Sequence, residues 1–250
     1  MPVRPLGHPA RHLDAVGSTM TEAAVWAEAG APHGALVTAA HQRAGRGRWG
    51  RTWADAPGQS LMLSLVLRPA LDAERLGLVA LAAGLALTEA LDAFGVGARL
   101  KWPNDVRVGG RKLAGVLAEA TWAGRRPTVV LGAGLNVEQA AFPDALADRA
   151  TSVRLVTGRP VERLAPLDPF LRRLEVRLAD AEDRPARLVA DVEGRLEQRG
   201  ERVAVGFPGT DRPPVEGRVV GLAPTGALRL ATGDGEVDLH AGEVTLAVPS

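Results

Sequence analysis

The sequence predicts an α+β chain of two units, a larger one over residues 1–200 and an all-β one over residues 201–250. Three observations carry this reading. Leu and Ala recur at helical spacing from Leu71 to Phe94 (Leu78, Leu81, Leu85, Leu87, Leu91), the pattern of a packed helix. From Arg99 to Leu135, β-type runs are broken by turn residues, Gly109-Gly110 among them, as in an antiparallel meander. After Glu201 only short β-type runs remain, separated by Pro-Gly, Pro-Thr-Gly and Gly-Asp-Gly turns, the punctuation of a small all-β unit.

The elements follow in order. Ser18-Thr19-Met20-Thr21-Glu22 places a hydroxyl three residues ahead of a glutamate, a capping-box signature, so a helix is expected from Met20 to Ala29, stopped by Gly30. Residues 36–40 read as a strand, residues 42–58 as a Gly/Arg-rich loop and residues 61–67 as a buried strand. The long helix spans residues 71–94. The meander is expected as 99–102, 105–108, 112–120 and 128–135, and residues 142–150 as loop. Two amphipathic helices are expected over 161–178 and 187–199, with Gly200 as a C′ stop. The last strands are expected at 202–207, 215–222, 227–231, 236–239 and 244–248.

Composition narrows the function. The 250 residues are 46% hydrophobic and 24% charged, with a formal charge of +1. That balance lacks the electrostatic footprint of a protein that mainly holds nucleic acid or an anionic membrane. With no cysteine, disulfides, thiolate nucleophiles and zinc–thiolate sites are excluded. No protein-ligated metal site is expected, because the histidines have no partner at ligand spacing; His41 reads as a strand-end residue. The N-terminus lacks the apolar core of a signal peptide. The longest apolar stretch, Leu76 to Leu87, is short of the ~20 residues that span a bilayer. A soluble, cytoplasmic protein is expected.

The chain has no Ile or Tyr, and of its 30 basic residues only Lys101 and Lys112 are lysines. Its only asparagines are Asn104 and Asn136. A GC-rich coding bias accounts for this. A lysine that resists drift to arginine then marks a place where a compact ammonium and a broad guanidinium are not interchangeable.

Gln42-Arg43-Ala44-Gly45-Arg46-Gly47-Arg48-Trp49-Gly50-Arg51-Thr52-Trp53 has glycines at the spacing of a dinucleotide fingerprint. No helix opens after it, and Asp55, Pro57 and Gly58 continue as loop, so that reading fails. It is not a P-loop either. Its guanidiniums suit carboxylate or phosphate oxygens, and Trp53 can cover a ring. Alone the run reads equally as a solvated basic loop, Ser18-Thr19 as a helix cap, and Trp102-Pro103 as core and turn.

Read together, the motifs decide more. Lys101-Trp102-Pro103-Asn104-Asp105, then Arg111-Lys112-Leu113-Ala114-Gly115, Gly132-Ala133-Gly134-Leu135-Asn136 and Ala150-Thr151-Ser152 follow the Arg/Gly loop in order. With the Ser18-Thr19 pair, this series over residues 14 to 200 resembles the biotin–protein ligases, in a short form without an N-terminal DNA-binding module. Gly242-Glu243-Val244-Thr245-Leu246 extends the likeness to the C-terminus. The resemblance implies a mixed, largely antiparallel sheet flanked by helices, followed by a small Src-homology-3-like β-barrel.

It also implies an ATP- and Mg²⁺-dependent ligase that converts biotin to biotinyl-5′-AMP. The biotin then passes to a lysine of a biotin carboxyl carrier protein domain, without repressor activity, from a monomer or homodimer. Ser18, Thr19, Met20 and Gln42 would hold the ureido end of biotin, and Arg46, Gly47 and Arg48 would close over it. Lys112 would reach the biotin carboxylate and the α-phosphate, and Gly115 would let the biotin chain pass. Arg48, Arg51, Trp53, Asn104, Lys112 and Asn136 would serve ATP. The catalytic set is Lys112, Arg48 and Asp105, the last orienting or deprotonating the carrier amine. Met20 stands where many members have Asn, and Ala247 where some have an ATP-assisting Arg. Trp49 has no role in this scheme. The competing readings are a lipoate–protein ligase-like acyl transferase, a non-catalytic biotin-binding protein and a DNA-binding repressor.

Overall fold

The structure, a computed structural model, describes residues 5–123 and 126–246. The chain opens with β1 (Ala10–Val16), crosses through α1 (Thr19–Glu28) and returns as β2 (Leu36–Gln42), parallel to β1. β3 (Ser60–Leu67) follows the Arg/Gly loop, and α2 (Gly77–Asp92) follows a 3-10 turn at Ala73–Arg75. Then come β4 (Arg99–Lys101), β5 (Asp105–Val108), β6 (Arg111–Ala123) and β7 (Arg126–Asn136). Four helices complete the larger unit: α3 (Asp144–Ala147), α4 (Val153–Thr157), α5 (Leu167–Asp183) and α6 (Pro185–Arg195).

The seven strands lie in the order β1-β2-β3-β7-β6-β5-β4, antiparallel apart from the β1/β2 pair. The mixed, largely antiparallel sheet is the one expected. β3 lies between β2 and β7 and is buried along its whole length. Leu61, Leu63, Leu65 and Leu67 face the main core with α2 and α5, whereas Val66 joins Met20, Ala23, Val37 and Val130 under α1. Alternation along a strand sends neighbouring side chains to opposite faces, so Met62 and Ser64 also face α1. Register sets Met62 opposite Gly134, Ser64 opposite Gly132, and Gly115 opposite Gly134. The α1 face therefore has a floor of small residues where the site lies.

The second sheet holds β8 (Arg202–Gly206), β9 (Val215–Leu222), β10 (Leu228–Thr232), β11 (Gly235–Leu239) and β12 (Glu243–Leu246), in the order β11-β10-β9-β8-β12. Every pair is antiparallel, and no β11–β12 pairing closes a barrel among the described residues. Val203, Val219, Leu228, Leu230 and Val244 belong to the same hydrophobic cluster as Leu78, Leu100 and Trp102. The Trp102 indole N–H donates to the Gly226 carbonyl at 3.1 Å, tying the two sheets.

Several expectations shift for identifiable reasons. β1 was not foreseen because it is an edge strand with mostly exposed side chains and no apolar alternation. The helix expected over 71–94 starts later, because the Asp72 carboxylate accepts from the Arg75 amide at 3.0 Å and caps a separate turn. The helix expected from residue 161 starts at Leu167, after Pro166; the residue before a proline is biased away from helix. α6 stops at Arg195, so Gly200 (φ 83°) turns the chain toward β8 instead of ending a helix. Beyond α6 the Glu197 amide donates to the Leu100 carbonyl at 2.7 Å, drawing the chain onto β4. Ala247 and Val248 lie outside the described residues. Among those described, no helix is long and apolar enough to cross a membrane.

Candidate functional site

A cavity of about 170 Å³ opens on the α1 face of the large sheet. One end is built from the start of α1 and the end of β2. Ser18 caps α1 in extended backbone, yet its side chain makes no cap hydrogen bond. Its hydroxyl is buried without a partner in a residue that lines the cavity, and the Thr19 hydroxyl expected to form a capping box with Glu22 is turned to Gln42 instead. The Thr19 amide and hydroxyl both donate to the Gln42 side-chain oxygen, at 2.7 and 3.1 Å. The Ser64 hydroxyl donates to Thr19 Oγ1 at 2.8 Å, fixing the direction of the relay. Gln42 Nε2 is then left to donate, and it lies 3.3 Å from the Met62 thioether. A buried polar group is costly unless paired, so a free hydroxyl and a weakly bonded amide mark a place for a polar ring. Met20 packs on Gly132, where an added Cβ would lie 2.8 Å from its sulfur.

The Arg/Gly loop forms the cover. It folds back on itself through an Arg46/Thr52 bridge, with the Gly47 amide bonded to the Arg51 carbonyl at 2.7 Å and the Trp53 amide to the Gly45 carbonyl at 2.9 Å. At its tip Trp49 holds a left-handed backbone (φ 57°), 43% exposed, with the Arg48 guanidinium 5.2 Å from its ring centre. Such a conformation is strained for a bulky residue. The Trp53 indole lies on the glycine floor: Cβ atoms added at Gly134 and Gly115 would fall 2.7 and 3.3 Å from its ring. Trp53 therefore lies against Gly115, expected on the biotin side, and its ring centre is 5.6 Å from Lys112 Nζ, expected to serve both biotin and ATP. Only glycines leave room for a ring against two strands.

The other end of the cavity is charged. Lys112 Nζ and the Asp105 carboxylate are 2.6 Å apart. Arg51 forms a two-pronged pair with Glu243 of β12 at 2.7 and 2.5 Å. This pairing holds the Glu243 carboxyl below its ordinary range and raises the Arg51 guanidinium. Arg48 donates to the Gly242 carbonyl at 3.2 Å and to Asn104 Oδ1 at 3.4 Å, and burial lowers its affinity for its proton. Arg46 reaches out to Glu119 at 3.1 Å.

Of the residues expected at the site, Ser18, Thr19, Met20, Gln42, Arg46, Gly47, Arg48, Arg51, Trp53, Asn104, Asp105, Lys112 and Gly115 line this one cavity. Asn136 does not. It is 4% exposed, and its amide donates to the Thr151 carbonyl at 3.0 Å, a bond that braces the end of β7. The sequence marked Lys101 by its rarity without giving it a role, held Gly132, Gly134 and Glu243 inside motifs without singling them out, and gave no signal for Ser64. Among the described residues no cluster of three or more His, Asp or Glu could hold a metal ion.

Residues 14–136 match the profile of the biotin/lipoate A/B protein ligase family, and residues 200–246 match the biotin protein ligase C terminal domain. The biotin–[acetyl-CoA-carboxylase] ligase of Mycobacterium tuberculosis is 37% identical over 247 residues, 94% of this chain and 88% of that protein. The chain belongs to the biotin protein ligase family. A biotin protein ligase from Aquifex aeolicus, solved with biotin and ATP, shares the fold with a TM-score of 0.83 and 28% identity, over 96% of this chain and 99% of that one. Two Bacillus bifunctional ligase/repressors named BirA, from Bacillus spizizenii and Bacillus subtilis, are 35% and 36% identical. The match spans about half their length, 53% in each.

Within this biotin protein ligase fold the glycine floor is testable. Gly134→Ala puts a methyl group into the Trp53 ring, and overpacking of this kind costs roughly 1–3 kcal/mol. The expected result is a lower urea midpoint together with a red-shifted tryptophan emission as the indole leaves its seat. An unchanged midpoint and spectrum would show that the ring is not held there.

Proposed function

We propose that the chain is an ATP- and Mg²⁺-dependent ligase that joins biotin to AMP and then passes it to a lysine of a biotin carboxyl carrier protein domain. The observation that supports this best is the division of one cavity: unsatisfied polar groups at Ser18 and Gln42 at one end, Arg48, Arg51 and Lys112 at the other. A ureido ring, with two N–H donors and a carbonyl, suits the first end. A carboxylate meeting a triphosphate suits the second. A cytoplasmic setting, where ATP and carrier proteins are available, belongs to the same reading. Catalysis without repression is part of the same proposal.

In the first step the biotin carboxylate attacks the α-phosphate and pyrophosphate leaves. Two unit charges at 4 Å interact by about 4 kcal/mol at an effective dielectric of 20, so two anions need fixed cations between them. Lys112 stands where both can be reached, with Arg48 under the loop beside it. MgATP enters as a substrate, its metal carried mainly by the phosphates. Trp53 and the folded loop keep water from the mixed anhydride. In the second step the carrier amine must arrive neutral, and Asp105, once Lys112 turns to substrate, is the carboxylate that orients it or takes its proton.

Purified chain given MgATP and biotin should yield biotinyl-AMP and pyrophosphate by mass spectrometry, with biotin and not lipoate as the acid consumed. If neither product forms, the ligase reading is wrong. Asp105→Asn should slow transfer from pre-formed biotinyl-AMP to a carrier domain by about 100-fold, the lower end of what a positioned proton acceptor contributes. Unaltered transfer would remove Asp105 from that role.

A further inference from the structure

The cavity holds one cation that the scheme above leaves unused. Lys101 ends β4, opposite Asp105 on β5, and its side chain lines the cavity beside Arg48 and Glu243. Every other cation there has a partner: Lys112 with Asp105, Arg51 with Glu243, Arg48 with Asn104 and Gly242, and Arg46 with Glu119. The Lys101 side chain has no hydrogen bond or ion pair among the described residues. Burial, with Arg107 nearby, weakens its hold on its proton more than the carboxylates of Asp105, Glu243 and Glu197 strengthen it, as for a half-buried charge without a direct ion pair. Composition points the same way. Only two of the 30 basic residues are lysines, and both line this one cavity.

We propose that Lys101 binds the β- and γ-phosphates of the nucleotide and receives the leaving pyrophosphate. The inference rests on the ligase reading and assigns the half of the reaction that Lys112 does not cover. As the biotin carboxylate oxygen bonds to the α-phosphorus, the bond from that phosphorus to the bridging oxygen breaks and its electron pair departs on pyrophosphate. The Lys101 ammonium offsets that charge and transfers no proton. A cation aimed where charge develops acts mainly in the transition state, and Lys101 lines the same cavity as Arg48, Trp102, Pro103 and Glu243.

The test uses the full chain with Lys101→Met, Lys101→Gln and Lys101→Arg. The KM for MgATP in adenylate formation and the KM for pyrophosphate in the reverse reaction should each rise at least tenfold in Met and Gln. The KM for biotin and the rate of transfer from pre-formed biotinyl-AMP should stay within twofold. Arg should recover part of the loss, because it keeps the charge. If the wild-type chain is active and the Met and Gln variants bind pyrophosphate as it does, the inference falls and the ligase reading stands. Equal rises in the KM for biotin and for pyrophosphate would mean a structural role and would also overturn it. A wild-type chain that releases no pyrophosphate overturns both.

Discussion

Lys112→Arg should abolish formation of biotinyl-AMP although it preserves charge. The Lys112 ammonium is 2.6 Å from Asp105, and a Cβ at Gly115 would lie 3.1 Å from its terminal carbon and nitrogen. The Trp53 ring centre is 5.6 Å from the same nitrogen. A guanidinium is longer and wider, and it cannot enter that gap without pushing the indole off the glycine floor. Removing one preorganised charge-stabilising donor costs roughly 100- to 1,000-fold in turnover, and displacing Trp53 adds to that, so a loss of about 1,000-fold is expected. Transfer from pre-formed biotinyl-AMP should suffer far less, because no anion attacks another in that step. Adenylate formation at the wild-type rate in Lys112→Arg would refute the argument from size.

The second large effect concerns stability. Arg177 of α5 is 11% exposed and joins three elements. It forms a two-pronged pair with Glu89 of α2 and donates to Asp180 at 3.0 Å and to Asp191 of α6 at 2.6 Å. The Asp180 side chain has no exposed surface. Arg177→Met leaves that carboxylate with Arg184 alone and strips Glu89 of its partner. Removing one member of a buried ion pair costs about 3–5 kcal/mol, which for a chain of this size lowers Tm by roughly 6–20 °C. Differential scanning calorimetry measures this directly, and a shift under 2 °C would show the cluster to be ornamental. Replacing Arg177 and Asp180 together by apolar residues should recover part of the loss, since the uncompensated charge then disappears.

How much of this was legible in the sequence depended on the kind of signal each residue leaves. Lys112, Arg48, Gln42 and Gly115 could be named because they sit in the linked motifs that carry the family resemblance, and the cavity gathers them. Gly134 lay inside a motif whose reason only the structure supplies: the strand must have no side chain where Trp53 lies. Ser64 left no trace, because a serine in a buried strand reads as ordinary until register brings it to Thr19. β1 was missed because hydrophobic alternation reports a buried face and an edge strand has little of one. Asn136 was placed on the ATP side by the resemblance alone; it does not line the cavity, and its amide braces a strand end. The capping box was misjudged because local spacing cannot tell a hydroxyl spent on its own helix from one, like that of Thr19, spent on Gln42.

The hydrophobic cluster that runs from Leu78, Leu100 and Trp102 into Val203, Leu228 and Val244 has a practical outcome for anyone who wishes to shorten the chain. A cut near residue 200 would bare an oily wall, leave the Trp102 indole without its acceptor and remove Glu243 from the rim. Such a fragment would clump before its chemistry could be assayed. Trimming toward a minimal catalyst therefore has to begin elsewhere, at surface loops far from this shared seam.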